Sequence, residues 1–185
     1  RRAAVRRLKL LLEVASDLGA RGVVTPAAWG IFSRRLPPFF PPRSEEADRA
    51  VLLEGLSEVG NHALSLGVKV FFEPLNRYED HMVNTLAQGS ECCAEVNLES
   101  LGLIADLYHM NIEEPNIAAS IRAARPYLAH VHLADSNRLE PGAGHTDFAG
   151  AFRALHDIGF NGFMAFECRL SKDARESLPK ALQYL

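Results

Sequence analysis

What this chain has little of narrows its reading first. Only three cysteines, Cys92, Cys93 and Cys168, occur among 185 residues. Adjacent residues rarely satisfy disulfide geometry and an odd count makes no framework, so a reducing, cytoplasmic compartment is expected. Cys168 directly follows Glu167, and strand alternation turns it away from the side that Glu167 faces; it reads as a structural thiol, not a nucleophile. No apolar run approaches the ~20 residues of a membrane-spanning helix, and no membrane partner is expected. Basic charge is not in excess: 20 Lys and Arg stand against 23 Asp and Glu, a net charge of −3, which argues against a nucleic-acid partner. The one basic cluster, Arg1 to Arg7, continues on a helical period through Glu13 and Asp17, without the apolar stretch or cleavage site of a leader. No glycine-rich phosphate fingerprint follows any strand-like run, which removes the usual support for a dinucleotide fold. What is left, 48% hydrophobic and 23% charged residues, describes a single globular domain over residues 1–185 that acts on a small molecule.

Helical and strand-like patterns alternate along the chain. Val5, Leu8, Leu11, Leu12, Ala15 and Leu18 recur at helical spacing and Gly19 stops them, after which Arg21 to Thr25 reads as a strand. A proline-rich loop follows from Ala27 to Arg43, with Trp29, Phe32 and the doublets Pro37-Pro38, Phe39-Phe40 and Pro41-Pro42. It reads equally as a functional loop or as an apolar flap. Ser44 is expected to cap a helix running to Leu66, with Gly67 as its stop. Further helices are expected from Asn84 or Thr85 to Val96, from Asn116 to Arg125, from Asp147 to Ile158 and from Asp173 onward. Strands are expected at 68–72, 101–106, 128–133 and 162–166, and loops at 107–115 and 134–146. Strands alternating with helices and without a hairpin imply a parallel sheet covered by helices.

Four of the apolar runs end in a metal-ligating side chain. Val68 to Phe72 runs into Glu73, Leu101 to Ala105 into Asp106, Leu128 to Val131 into His132, and Gly162 to Phe166 into Glu167. A closed barrel directs the carboxyl ends of all its strands to one mouth, whereas an open doubly wound sheet spreads them along an edge. The four donors therefore favour an α/β (β/α)8 TIM barrel in which Glu73, Asp106, His132 and Glu167 converge on one divalent cation. Only five strands are counted here, and a complete barrel typically takes about 250 residues, so the chain is expected to be the carboxyl-terminal part of a barrel whose first strands are missing.

Three segments carry a family resemblance. Glu73-Pro74-Leu75-Asn76-Arg77-Tyr78-Glu79, Asp106-Leu107-Tyr108-His109-Met110-Asn111-Ile112-Glu113-Glu114 and His130-Val131-His132-Leu133-Ala134-Asp135-Ser136-Asn137-Arg138 resemble motifs of the ketose 3-epimerases. These are the D-tagatose 3-epimerase and D-psicose 3-epimerase group of the xylose-isomerase-like barrels, within the sugar phosphate isomerase/epimerase superfamily. The resemblance runs from Arg21 to the last helix. It implies Glu73, Asp106, His132 and Glu167 as ligands of one divalent cation (Mn2+, Co2+ or Mg2+), and Glu79, His109 and Arg138 as substrate-binding residues. It also implies Glu73 and Glu167 as the catalytic pair, which takes a proton from one face of a ketose, through an enediolate, and returns it on the other. The partner implied is a sugar, and a homo-oligomer is among the expected states.

The same motifs admit a hydroxypyruvate-type 1,2-isomerase or a polyol-ketone dehydratase. From other classes, a type IV apurinic endonuclease shares the barrel but is richer in histidine and basic charge, and a non-catalytic metal-binding fragment is the remaining alternative. His130 is expected deeper on the strand of His132, in a structural role. His145 and Asp147 read as mouth residues, with Asp147 equally a helix N-cap, and His81 and His156 read as helix-surface residues.

Overall fold

Short polar side chains cap the starts of most helices of this protein, and left-handed residues end some of them. The computed structural model describes residues 1–28 and 43–185, and Trp29, Phe32 and the proline doublets lie outside the described residues. Helix α1 (Arg2–Asp17) leads to strand β1 (Gly22–Pro26). Ser44 then caps α2 (Glu45–Leu66), its side chain accepting from the Ala47 N–H, and Gly67 closes that helix at φ 70° before β2 (Lys69–Glu73). Thr85 and Gln88 form a reciprocal capping box on α3 (Leu86–Val96), which Asn97 ends at φ 50°, followed by β3 (Leu101–Asp106). Helices α4 (Leu107–Glu113) and α5 (Ile117–Ala123) precede β4 (Leu128–Leu133). Asp147 caps α6 (Phe148–Asp157), and β5 (Phe163–Phe166) and α7 (Ala174–Tyr184) complete the order.

Two expectations are corrected. Residues 107–113 are helical, not a loop, because the Asp106 carboxylate accepts the N–H groups of Tyr108 (2.9 Å) and His109 (3.2 Å) and so caps a helix directly on the strand end. Leu107 and Met110, three apart, bury the face of that turn. His81 is not on a helix surface. It lies in the turn after β2 with its Nε2 3.1 Å from a carboxylate oxygen of buried Asp48. His156 is exposed on α6.

The five strands form one sheet in the order β1-β2-β3-β4-β5, every neighbouring pair parallel. This is the expected α/β architecture, an open five-strand arc of a TIM barrel. Val70, Phe72, Leu103, Val131 and Leu133 turn outward into the core with the helices, where Leu12, Leu86, Leu107 and Ile121 are also fully or nearly fully buried. Alternation then turns Lys69, Phe71 and Glu73 of β2, and His130 and His132 of β4, to the inner face. Phe71 and His130 pack there at 5.6 Å between centroids, and His130 and His132 at 5.0 Å edge to face. The inner face is narrow between β3 and β4: a Cβ on Gly102 would lie 2.6 Å from that of Ala129.

Among the described residues the arc has two unpaired edges, β1 and β5. They curve toward each other enough for the Arg21 guanidinium, just before β1, to sit 4.7 Å from the centroid of Phe163 on β5. Apolar surface remains open along them, with Phe163 59%, Met164 43% and Val24 40% exposed, and Leu11 and Val14 on α1 and Leu18 at its C-cap are exposed as well. Strand edges and apolar faces of this kind seek partners. The 185-residue chain expressed alone is predicted to sediment as oligomers or aggregates, with little turnover. A well-folded, fully active monomer would contradict the reading of the open edges.

Candidate metal centre

The register of the sheet brings the strand-end donors level. Asp106 pairs with His132 across β3 and β4, Glu73 is the last residue of β2, and Glu167, which directly follows β5, bonds through its N–H to the Leu133 carbonyl at 3.2 Å. One ligand atom from each of Glu73, Asp106, His132 and Glu167 lies within 4.8 Å of the other three. His132 Nδ1 is at the middle of the group: it stands 2.7 Å from Glu73 Oε1, 2.9 Å from Glu167 Oε2 and 3.5 Å from Asp106 Oδ2. Glu73, Asp106 and His132 are buried, and the Glu167 side chain, on the edge strand, is half exposed.

Three carboxylates in so small a space demand positive charge, and the chain itself supplies some. Burial opposes a charged imidazole, but hydrogen bonds to Asp106, Glu167 and Glu73 push His132 up to about 11. Arg138 Nη1 lies 2.8 and 2.7 Å from the two oxygens of Asp106, and its Nη2 lies 2.5 Å from Glu167 Oε2. Burial also raises Asp106, yet His132, His109 and Arg138 together hold it well below the usual carboxylate range. Glu73 shifts the other way, because its desolvation and the neighbouring Asp106 and Glu167 charges outweigh its bond to His132.

The donor set fits a hard divalent cation. Ligand atoms about 2.0–2.6 Å from one centre stand at most about 5 Å apart, which the 4.8 Å limit of the cluster satisfies. Three carboxylates and an imidazole without a thiolate suit Mg2+, Mn2+ or Co2+. The proton on His132 and the guanidinium of Arg138 stand where such a cation would place its charge.

Beside the cluster opens a cavity of about 340 Å³, lined by Pro26, Glu73, Leu75, Glu79, His109, Arg138 and Glu167. The expected substrate-binding residues, Glu79, His109 and Arg138, thus share one wall with the donors. A larger hollow of about 1030 Å³ lies at the other end of the strands, around Gly22, Lys69, Gly102, Leu128 and Gly162. Barrel chemistry belongs to the carboxyl ends, and the carboxylates gather there, so the smaller cavity is the candidate site. His130 lies one layer below His132, half-buried and held neutral by burial and by the His132 charge. Cys168 is half-buried and its thiol is pushed up by burial, the opposite of an activated nucleophile. His145 is exposed, and Asp147 caps α6 through the Gly150 N–H at 2.8 Å.

Three supporting residues carry no signal in hydrophobic periodicity, although each stands inside a resembling motif. Tyr108 places its ring 4.7 Å below the Arg138 guanidinium. Asp135 accepts the N–H groups of Ser136 (2.7 Å), Gly142 (2.9 Å) and Thr146 (3.0 Å), and so folds the loop that carries Arg138. Asn76 contacts both His109 and Glu79.

Comparison with known proteins gives a family match along the whole chain. The family described as xylose isomerase-like TIM barrel matches residues 1–185. The 3-dehydro-D-guloside 4-epimerase of Escherichia coli K12 is 39% identical over 182 residues, 98% of this chain and 70% of its own. The D-psicose 3-epimerase of Agrobacterium fabrum is 36% identical over 126 residues, 68% of this chain, and the match spans 44% of that enzyme's length. The crystal structure of an E. coli 3-keto-D-glucoside 4-epimerase superposes with a TM-score of 0.91 at 39% identity, covering 97% of this chain and 69% of that one. The chain belongs to the xylose isomerase-like TIM-barrel family.

Proposed function

We propose that this protein is a divalent-metal-dependent epimerase of an unphosphorylated keto sugar. The convergence of Glu73, Asp106, His132 and Glu167 beside a polar cavity carries the reading. The names of the relatives support it chemically. A 3-dehydro sugar epimerised at C4 and a 2-ketose epimerised at C3 both invert the carbon next to the carbonyl. The proton on that carbon is the acidic one, so the same proton transfer serves both substrates.

A cation held by the four donors would polarise the carbonyl and a neighbouring hydroxyl oxygen, which acidifies the adjacent carbon and stabilises the enediolate that its deprotonation yields. The chain's own residues do the rest. Glu73 and Glu167 come from β2 and the end of β5, so their carboxylates reach His132 from the two sides of the arc. One takes the carbon-bound proton on its Oε and the other returns a proton to the opposite face. Glu73, desolvated and with a raised proton affinity, keeps the proton it accepts more readily than an exposed acid does, whereas Glu167 has access to water. Arg138, Glu79 and His109 orient the hydroxyls of the substrate. Glu73, Glu79 and Glu167 also face the cavity, and the one guanidinium in its wall is already paired with Asp106 and Glu167. The substrates named for the relatives, a 3-dehydro-D-guloside and D-psicose, carry no phosphate, which favours the free sugar.

Proton NMR in deuterated water tests the reading, with Mg2+ and a panel of free and phosphorylated 2-ketoses and 3-keto glycosides. Loss of the proton signal of the CH(OH) carbon next to the carbonyl, C3 of a 2-ketose or C4 of a 3-keto glycoside, is expected for a free keto sugar. Exchange at C1 of a 2-ketose would point to 1,2-isomerisation instead, and exchange confined to phosphorylated sugars would remove the substrate class. For the intact protein, Asp106→Asn is predicted to weaken divalent-cation binding, read by titration calorimetry, at least about tenfold, the loss that even an outer-shell partner of a metal ligand produces. Unchanged affinity would take Asp106 out of the ligand set. Glu73→Gln and Glu167→Gln are each predicted to slow proton exchange about 10²–10⁴-fold with the metal site shown calorimetrically to be filled. Either variant that keeps wild-type exchange removes its residue from proton transfer.

A further inference from the structure

Asn76 is buried in the wall of the candidate site, 1% exposed, and neither metal binding nor proton transfer gives it a task. Its Oδ1 accepts the Tyr78 N–H at 3.0 Å, an Asx turn that identifies the oxygen end of the amide. The other end is therefore the NH2 group. It lies 2.8 Å from His109 Nδ1 and 3.0 Å from Glu79 Oε1, and the backbone N–H of Asn76 also reaches His109 Nδ1, at 3.1 Å. An N–H cannot donate to a ring nitrogen that carries its own proton. Two donors meeting on Nδ1 leave that nitrogen as the lone-pair acceptor and put the imidazole proton on Nε2. Nε2 lies 4.0 Å from Asp106 Oδ2, an arrangement that favours an N–H over a second lone pair.

The turn that holds Asn76 is fixed at several points. Arg77 makes two side-chain bonds of 2.9 Å to Glu113, which also accepts the Arg77 N–H at 2.7 Å. Buried Asp80 accepts the N–H groups of Ala28 (3.0 Å) and Met82 (2.7 Å), and Asn84 Nδ2 donates to the carbonyls of Leu75 (2.7 Å) and Asp80 (3.0 Å). The amide of Asn76 is thus a rigid reference for the two side chains it touches.

We propose that Asn76 is a positioning residue whose single amide group locks His109 as an Nε2–H donor and Glu79 as an acceptor, presenting a matched pair to the hydroxyls of a polyol substrate. A hydroxyl both accepts and donates, so one donor and one acceptor at fixed spacing suit it, while a cationic His109 or a second donor in place of Glu79 would not. The substrate half of this statement rests on the reading of the cavity as a keto-sugar site; the tautomer half does not.

Asn76→Asp is the test, because it changes the NH2 to an oxygen and keeps the oxygen that the Tyr78 N–H needs. In the intact wild-type protein, nitrogen-15 NMR of the imidazole rings is expected to show His109 with bare Nδ1 and protonated Nε2. In Asn76→Asp a carboxylate oxygen faces Nδ1 and draws a proton onto it, so the Nδ1 resonance moves to the protonated range while the melting curve stays cooperative. Two hydrogen bonds that orient the substrate's contacts are lost, and KM for the keto sugar is expected to rise about tenfold or more with a smaller fall in kcat. Protonated Nδ1 in the wild type, an unchanged ring in Asn76→Asp, or a loss of kcat at constant KM would each overturn the proposal. Absence of turnover on every keto sugar in the wild type counts against the epimerase reading alone, since the tautomer is read without substrate.

Discussion

Repulsion among three carboxylates is the constraint around which this part of the barrel is built. Parallel pairing in register forces Glu73, Asp106 and Glu167 to end their strands around His132 Nδ1, and like charges at that separation do not stay together unaided. Each neighbour answers that problem. His132 takes up a proton, Arg138 spans Asp106 and Glu167, and the first turn of α4 directs two backbone N–H groups at Asp106. The negative charge gathered at the strand ends is thus met by positive groups and N–H dipoles drawn from three different elements.

Much of this is legible in the residues. Apolar runs ending in an acid or a histidine mark the strands and their functional ends, because a fully covered parallel strand shows continuous hydrophobicity and only its mouth is free to be polar. Ser44, Thr85, Gly67 and Asn97 mark helix ends because their local chemistry is sufficient: a side-chain oxygen for an unpaired N–H, or tolerance of a positive φ. The short α4 is not legible, since Asp106 serves at once as strand end, candidate ligand and cap, and a pattern that assigns one role to a residue misses the others. Buried polar residues escape for a different reason. Asp80 meets its donor at Ala28, 52 residues away, and His81 meets Asp48, 33 residues away. No periodicity encodes such pairs, because only the finished fold brings them together.

The loop after β4 shows how the barrel keeps a long side chain pointed inward. Asp135 gathers three N–H groups, the Asp135 N–H bonds the Leu139 carbonyl at 2.9 Å, and the Arg169 N–H bonds the Arg138 carbonyl at 2.9 Å. Glu140 takes both the N–H and the hydroxyl of Ser171, which joins this loop to the one after β5. The result is a loop of the precision usually reserved for strands, and it needs that precision because Arg138 must reach two carboxylates on different elements.

One detail of that loop bears on how such a protein can be altered. Arg138 sits at φ 60°, a left-handed backbone conformation that glycine adopts freely and arginine does not, at a cost of order 1 kcal/mol. Selection for heat resistance alone would drift toward glycine here, gaining backbone ease and losing the guanidinium that faces Asp106 and Glu167. Position 138 is thus a point where durability and chemistry pull in opposite directions, and a programme of thermostabilisation has to hold it constant while it searches elsewhere.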